Sequence, residues 1–186
     1  MKINLEIQKE HFKNHVATFY DYGNIKVLDF KEPDSIHYFI RFLFEEDHYR
    51  LHISGDLGQL TACNYKNMCY DKFSDFVNNP GYFKEKIACM TRNIYFYDYE
   101  KAKKDLKAQI RELDCLDDDE EIEYAIDDIL DDLDEDRGFG SKAIERLYEL
   151  DECYWEWMDE IGKEETGIID LYMLAFKLAQ EQLKEK

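Results

Sequence analysis

Ile36-His37-Tyr38-Phe39-Ile40-Arg41-Phe42-Leu43-Phe44 places Ile36, Tyr38, Ile40, Phe42 and Phe44 on one side of an extended chain. His37, Phe39, Arg41 and Leu43 fall on the other, the period of two that a pleated strand imposes. Glu45-Glu46-Asp47-His48 then reads as a polar turn. Beyond it Tyr49, Leu51 and Ile53 alternate with Arg50, His52 and Ser54. Gly55-Asp56-Leu57-Gly58 supplies two glycines where a reversing backbone needs permissive dihedrals. Residues 59–65 complete a three-strand meander. Upstream, residues 3–7 and 16–30, the latter broken at Tyr22-Gly23-Asn24, add strands and a hairpin. The expectation is an antiparallel sheet of about five strands, a typical size.

From Tyr70 the pattern turns helical. A short helix over 71–78 ends at Asn79-Pro80-Gly81, and a second is expected over 82–90. Ile94-Tyr95-Phe96-Tyr97 is expected as a strand or an extended link, and residues 100–113, rich in Lys, Ala and Leu, as a helix. Ile122, Ala125, Ile126, Ile129, Leu130 and Leu133 fall on one helical stripe. Arg137-Gly138-Phe139-Gly140 breaks that helix. Ser141 is the expected N-cap of another, running through Ala143, Ile144, Leu147 and Leu150 towards Trp155, Met158 and Ile161. The last helix covers 168–183. Trp155 and Trp157 stand two apart, so one is expected in the core and the other either as an exposed anchor or as a cap on the sheet.

The fold class is therefore α+β: an N-terminal antiparallel sheet of about five strands with helices, followed by an acidic helical C-terminal region. Residues 1–111 make the sheet-rich part and 112–186 the acidic helical part, packed with the first as one unit.

The net charge of −19 over 186 residues is distributed unevenly. Residues 1–111 carry 16 acidic and 17 basic side chains, whereas 112–186 carry 27 acidic and 7 basic ones. Phosphates would be repelled by that half, which excludes nucleic acid and anionic membrane as its partners and favours a basic protein surface. No stretch approaches the roughly twenty apolar residues of a membrane helix. Met1-Lys2-Ile3-Asn4-Leu5-Glu6 lacks a secretory apolar run, so a cytoplasmic location is expected. Cys63, Cys69, Cys89, Cys115 and Cys153 are odd in number and contain no C-x-x-C pair, which implies reduced, mostly buried thiols rather than a disulfide framework or zinc site.

Residues 112–136 hold fifteen Asp or Glu and no Lys or Arg. On a helix rising about 1.5 Å per residue this gives roughly one carboxylate per 2.5 Å, the same order as the one phosphate per about 1.7 Å of duplex DNA. Solvated helices intersperse Lys with Glu at i,i+4, because like charges at that spacing repel. Selection for a cationic partner explains the tolerated repulsion; selection for solubility explains it less specifically, and a solvated amphipathic face accounts for the stripe without any partner. The candidate partner-binding residues are Asp117, Asp118, Asp119, Glu120, Glu121, Glu123, Asp127, Asp128, Asp131, Asp132, Asp134, Glu135 and Asp136. Asp132-x-Asp134-x-Asp136 has the opening spacing of an EF-hand, but Arg137 stands where Gly is needed and Ala143 where the bidentate acid is needed, so no metal is assigned.

No catalytic residue and no cofactor is assigned either. His52 and Cys63 lie on adjacent expected strands, but nothing beside them supplies an oxyanion donor. His11 and His15 lack an H-E-x-x-H context and read as surface residues. A crowd of exposed acids does not supply a general acid and base, which require burial and distinct environments. Gly55-x-x-Gly58 lacks the Lys-Ser/Thr ending and the following helix of a phosphate cradle.

The segments His52-Ile53-Ser54-Gly55-Asp56-Leu57-Gly58, Asn78-Asn79-Pro80-Gly81-Tyr82-Phe83-Lys84 and Leu171-Tyr172-Met173-Leu174-Ala175-Phe176, with the early sheet and acidic helices, resemble small proteins carried by phages and mobile elements of Firmicutes, in particular anti-CRISPR inhibitors of type II RNA-guided nucleases. The likeness is one of layout, and no functional residue is carried over from it. It implies a non-enzymatic inhibitor whose acidic, nucleic-acid-mimicking surface blocks the nuclease from engaging DNA or guide RNA. The alternatives are a small accessory enzyme acting on guide RNA and an acidic binding module for another basic protein.

Overall fold

Asn4 opens the first helix: its Oδ1 accepts the backbone N–H groups of Glu6 and Ile7 at 3.1 and 3.3 Å, donors that a helix start otherwise leaves unpaired. Residues 3–7, expected as strand, therefore lead into α1 (Leu5–Phe12). The computed structural model describes every residue except 1, 114, 117 and 186. β1 (Val16–Asp21) and β2 (Ile25–Lys31) form the expected hairpin about Tyr22-Gly23-Asn24. β3 (Ile40–Glu45), β4 (Arg50–Gly55) and β5 (Leu60–Cys63) continue the meander. A 3-10 turn at Tyr70–Lys72, α2 (Ser74–Val77) and α3 (Pro80–Lys84) follow. β6 (Ile87–Met90) then closes a six-stranded sheet of order β1-β2-β3-β4-β5-β6, antiparallel throughout.

Two expectations in this part are corrected. β6 occupies sequence expected to be helical over 82–90: Asn79 caps α3 and Pro80 sits in its first turn, but the helix stops at Lys84 and the chain pairs with β5 past a bulge at Thr61/Ala62. The strand expected from Ile36 begins only at Ile40. Tyr38 adopts φ +56, its N–H donates to Asp56 Oδ2 at 2.9 Å, and Ile36 is exposed. Gly55 makes this turn possible, because a Cβ there would lie 1.9 Å from the Phe39 carbonyl oxygen.

The chain next forms β7 (Tyr95–Tyr97), α4 (Tyr99–Leu113), α5 (Asp119–Leu130), the β8 (Leu133–Asp134) and β9 (Gly138–Phe139) hairpin, α6 (Ser141–Leu150) and β10 (Lys163–Glu165), which pairs with β7. α6 is shorter than expected. Its cap is Gly140 rather than Ser141, Asp151 turns extended (φ −152, ψ 117), and Trp155 and Met158 lie in two 3-10 turns instead of a continued helix. The final element is α7 (Ile168–Lys184).

Two compact units result among the described residues, one built from Asn93–Thr166 with Lys2, the other from Ile3–Arg92 and residues 167–185. The expected boundary between 111 and 112 falls inside α4, and α7 belongs with the sheet rather than with the acidic segment. The reason is composition. Tyr172 and Phe176 of α7 are fully buried, and Phe176 meets Phe73 at 4.7 Å and Phe42 at 5.3 Å between ring centroids, the packing that dominates the sheet unit's inner face. Tyr172 also donates its hydroxyl to the Leu57 carbonyl at 2.9 Å.

In the other unit the apolar stripe of α5 packs inward. Ile122, Ile126, Ile129 and Leu130 join Ala102, Leu106 and Ile110 of α4, Ala143 and Leu147 of α6, and Ile161 in one buried cluster. The charge excess follows the structural division more closely than the linear one: Asn93–Thr166 contains 27 acidic and 9 basic side chains, and the rest of the chain 16 and 15.

Candidate partner-binding surface

α5 turns its apolar stripe into the cluster, so its carboxylates lie on the remaining faces. Asp118 starts the helix, its Oδ1 accepting the Glu120 N–H at 3.0 Å. Negative residues in the first turn suit the positive end of the helix dipole.

The cations missing from residues 112–136 come from α4. Lys103 Nζ reaches Asp127 Oδ1 at 2.9 Å and Glu123 Oε2 at 3.5 Å, Lys107 bonds Glu123, and Arg111 Nη2 reaches Asp119 Oδ1 at 2.6 Å. The α4 positions rise by four as the α5 positions fall by four, so the two helices run antiparallel with a three-rung ladder along one seam. Hydrogen bonding to Arg111 pulls the Asp119 carboxyl below its usual range, and Lys107 does the same to Glu123. Asp127 raises the Lys103 ammonium. These pairs are partly or fully open to solvent, so their strength falls with added salt. The repulsion attributed to selection for an outside cation is thus relieved along this seam from within.

Other candidate carboxylates have structural work. Asp132 Oδ2 accepts the N–H groups of Lys142 and Ala143 at 2.9 and 3.3 Å and so caps α6 from a distance. A Cβ on Gly140 would lie 2.3 Å from that oxygen. Asp134 Oδ1 accepts the N–H groups of Asp136 and Arg137 at 3.0 and 2.9 Å, holding the β8–β9 turn, and Asp136 meets Asn93 Nδ2 at 3.3 Å. Glu135 gives its carbonyl to the Tyr97 N–H at 2.8 Å. The EF-hand-like spacing is therefore turn and cap geometry. Among the described residues no group of three or more His, Cys, Asp or Glu is arranged to hold a metal ion. Asp117 lies outside the described residues.

What remains is an outward face on α5. Glu120, Tyr124 and Asp131 lie along one helical row that also holds Asp127, already paired with Lys103, with Glu121 and Asp128 beside them. Among the described residues no cation is paired with Glu120, Glu121 or Asp131, and Tyr124 is 69% exposed. Asp118, Glu120, Glu121, Tyr124, Leu116 and Arg146 line one shallow open groove. Arg146 is the cation within it, 3.8 Å from Asp128 and 2.5 Å from Glu149. The sequence reading missed the tyrosine, although its position within the acidic run is the signal that finds it. Trp155 is exposed and Trp157 packs against the cluster while its Nε1 donates to Asp151 Oδ2 at 2.8 Å, which pulls the Asp151 carboxyl down.

In the sheet unit, the register sets His52 opposite Thr61 and Cys63 opposite Arg50. The His52 ring lies 3.1 Å from Thr61 Oγ1 and 3.6 Å from Glu45, so no Cys–His pair forms. The cysteines are free as expected, but only Cys69 is partly buried; Cys63, Cys89, Cys115 and Cys153 are exposed. Cys63 and Cys89 lie on the sheet face opposite Leu51, Ile53 and Ala62, which explains the difference. His11 stacks on Tyr38 at 4.7 Å, whereas His15, expected at the surface, is 4% exposed. Among the described residues no helix is long and apolar enough to cross a membrane.

The fold and this face define an α+β protein in which a strongly acidic, largely helical unit is inserted in chain order between the last strand of the sheet and α7. No known protein family, curated protein or solved structure matches the chain.

Proposed function

We propose that this chain is a non-enzymatic inhibitor that docks the outward row of α5 into the nucleic-acid-binding groove of a basic protein, and that the protein is a type II CRISPR nuclease. The observation that carries the reading is the set Glu120, Glu121, Asp131 and Tyr124: three carboxylates that no cation among the described residues pairs with, beside an exposed aromatic ring, on the unit that holds nearly all of the molecule's excess charge. Carboxylates on such a row offer Lys and Arg the same contacts as a phosphate backbone, and the ring adds a surface on which a guanidinium stacks. Such a nuclease grips DNA through basic side chains beside the short recognition motif and along its channel. An acidic helix seated there excludes DNA by competition, and the site of action is the cytoplasm. The carrying set is narrower than the whole run from Asp117 to Asp136, since Asp119, Glu123, Asp132 and Asp134 serve the unit's own structure.

The test is displacement. A fluorescent duplex bearing the recognition motif is bound to guide-loaded nuclease, and the full chain is titrated in. Anisotropy falling to the free-duplex value, with binding restored by excess duplex, is the expected result. Unchanged anisotropy at low salt with the chain in large excess refutes the reading.

A further inference from the structure

His15 stands at the joint between α1 and β1, and its ring is enclosed by Phe12 and Phe30, each centroid 5.1 Å away. Nε2 lies 3.1 Å from the Tyr38 carbonyl oxygen. A carbonyl only accepts, so Nε2 carries the proton and the neutral ring presents a bare lone pair at Nδ1. That Nδ1 is buried with no hydrogen-bond partner. The backbone on either side is held as well: His15 N–H donates to Phe12 O at 2.9 Å, and its carbonyl accepts from Gln182 Nε2 of α7 at 2.8 Å.

The carbonyl that His15 grips belongs to a residue in an unusual state. Tyr38 is a non-glycine residue at φ +56, a conformation that costs free energy and persists only where its surroundings enforce it. Four contacts enforce it here: the His15 ring Nε2–H on its carbonyl, the Asp56 carboxylate on its N–H at 2.9 Å, and the rings of His11 and His37, each 4.7 Å from its own.

We propose that His15 is an acid-sensitive latch, holding α1 and the Tyr38 turn on the sheet while its ring is neutral and releasing them when Nδ1 takes up a proton. The proton, supplied by water, forms an N–H with no acceptor in reach and places a charge between two Phe rings. Burying an unpaired charge is costly, and the ring faces offset only part of it. The other titratable groups around the joint are few. Against the desolvation of the ring stand the Tyr38 carbonyl, which binds a charged Nε2–H more strongly, and Glu32 after β2, which draws the proton on; His37 opposes it, His11 lies on α1 beyond Tyr38, and α7 contributes the neutral Gln182. Desolvation is the largest influence, so the ring's affinity for a proton lies below that of an ordinary imidazole. The sign follows from that direction. The latched state is fully stabilised above the ordinary imidazole value, about 6.5, and loses that stabilisation as pH falls from there to the lower value of the buried ring.

The test uses the full chain. Hydrogen exchange of the α1 amides and of residues 36–40, corrected for intrinsic chemistry, is followed from pH 7.5 to 4.5 in the parent and in His15→Phe, while the His15 ring is titrated by NMR in the parent. The expected result is opening in the parent that increases by up to about tenfold per pH unit inside the window, a flat profile in His15→Phe, and a His15 ring that titrates below the exposed histidines. Equal pH dependence in both proteins, or a His15 ring titrating at or above the ordinary value, overturns the proposal. If His15→Phe does not fold, the parent's ring titration decides alone.

Discussion

Ile126→Ala probes whether the apolar stripe of the acidic helix is internal core or a docking face kept for a partner. Ile126 is fully buried among Leu106 and Ile110 of α4 and Leu147 of α6. Truncating a buried Ile to Ala removes three carbons and leaves a cavity between helices, at a cost of about 2–5 kcal/mol. A unit of this size has a total stability in the lower part of the usual 5–15 kcal/mol range, so the loss takes a large share of it. With a urea dependence of about 1–3 kcal/mol per molar, the unfolding midpoint falls by at least about 0.7 M. The assay is convenient because both tryptophans, Trp155 and Trp157, lie in this unit and Trp157 packs against the same cluster, so their fluorescence follows its unfolding. Glu120→Gln on the outward face serves as control and leaves the midpoint where it was. A midpoint in Ile126→Ala within about 0.3 M of the parent, where at least about 0.7 M is expected, refutes the packing and returns the stripe to the pool of exposed binding faces.

Asp132→Ala removes the distant cap of α6 and destabilises the unit by about 0.5–2 kcal/mol, the usual worth of a capping side chain; Gly140→Ala, whose Cβ would meet the same carboxylate at 2.3 Å, does at least as much, both read by urea melts. Replacing Lys103, Lys107 and Arg111 together by Glu sets like charges along the α4–α5 seam, and the melting temperature falls in dilute buffer and recovers partly as salt is added, because exposed charges are screened. Burial pushes the Tyr172 hydroxyl up to about 12. The unfolded chain therefore loses this proton first, and stability declines as pH rises above about 10; an alkaline unfolding titration of Tyr172→Phe lacks that component. An unchanged alkaline limb in that variant removes Tyr172 as its source.

Strand alternation and helical stripes were legible wherever one face is buried. Phe42 and Phe44 on β3, and Ile122 to Leu130 on α5, sit where their periods placed them. The failures share a cause: a short-range hydrogen bond or a backbone state that no period records. Asn4 turned an expected strand into α1, Asp56 and Gly55 bent residues 36–39 out of β3, and α3, started early by Asn79 and Pro80, stops at Lys84 and leaves residues 87–90 to pair as β6. The unit boundary was missed because charge rather than packing was used to place it, and α7 is apolar enough to belong with the sheet. On the candidate surface, the count of carboxylates was right but their uses were not separable by sequence. Compensation was sought at i,i+4 within the run, whereas Lys103, Lys107 and Arg111 approach Asp127, Glu123 and Asp119 from another helix. Only after those pairs and the caps at Asp118, Asp132 and Asp134 are set aside does the row of Glu120, Glu121 and Asp131 stand out.

The most direct measurement is the affinity of the chain for guide-loaded type II nuclease between 50 and about 300 mM salt, a range over which screening lengths shorten markedly, in the parent and in the triple variant Glu120→Lys, Glu121→Lys, Asp131→Lys. The account predicts that parent affinity drops steeply with salt and that the variant, folded to the same urea midpoint, binds at least about a hundredfold more weakly at the low-salt end, a difference of about 2.7 kcal/mol. Equal affinity of parent and variant across the range contradicts it.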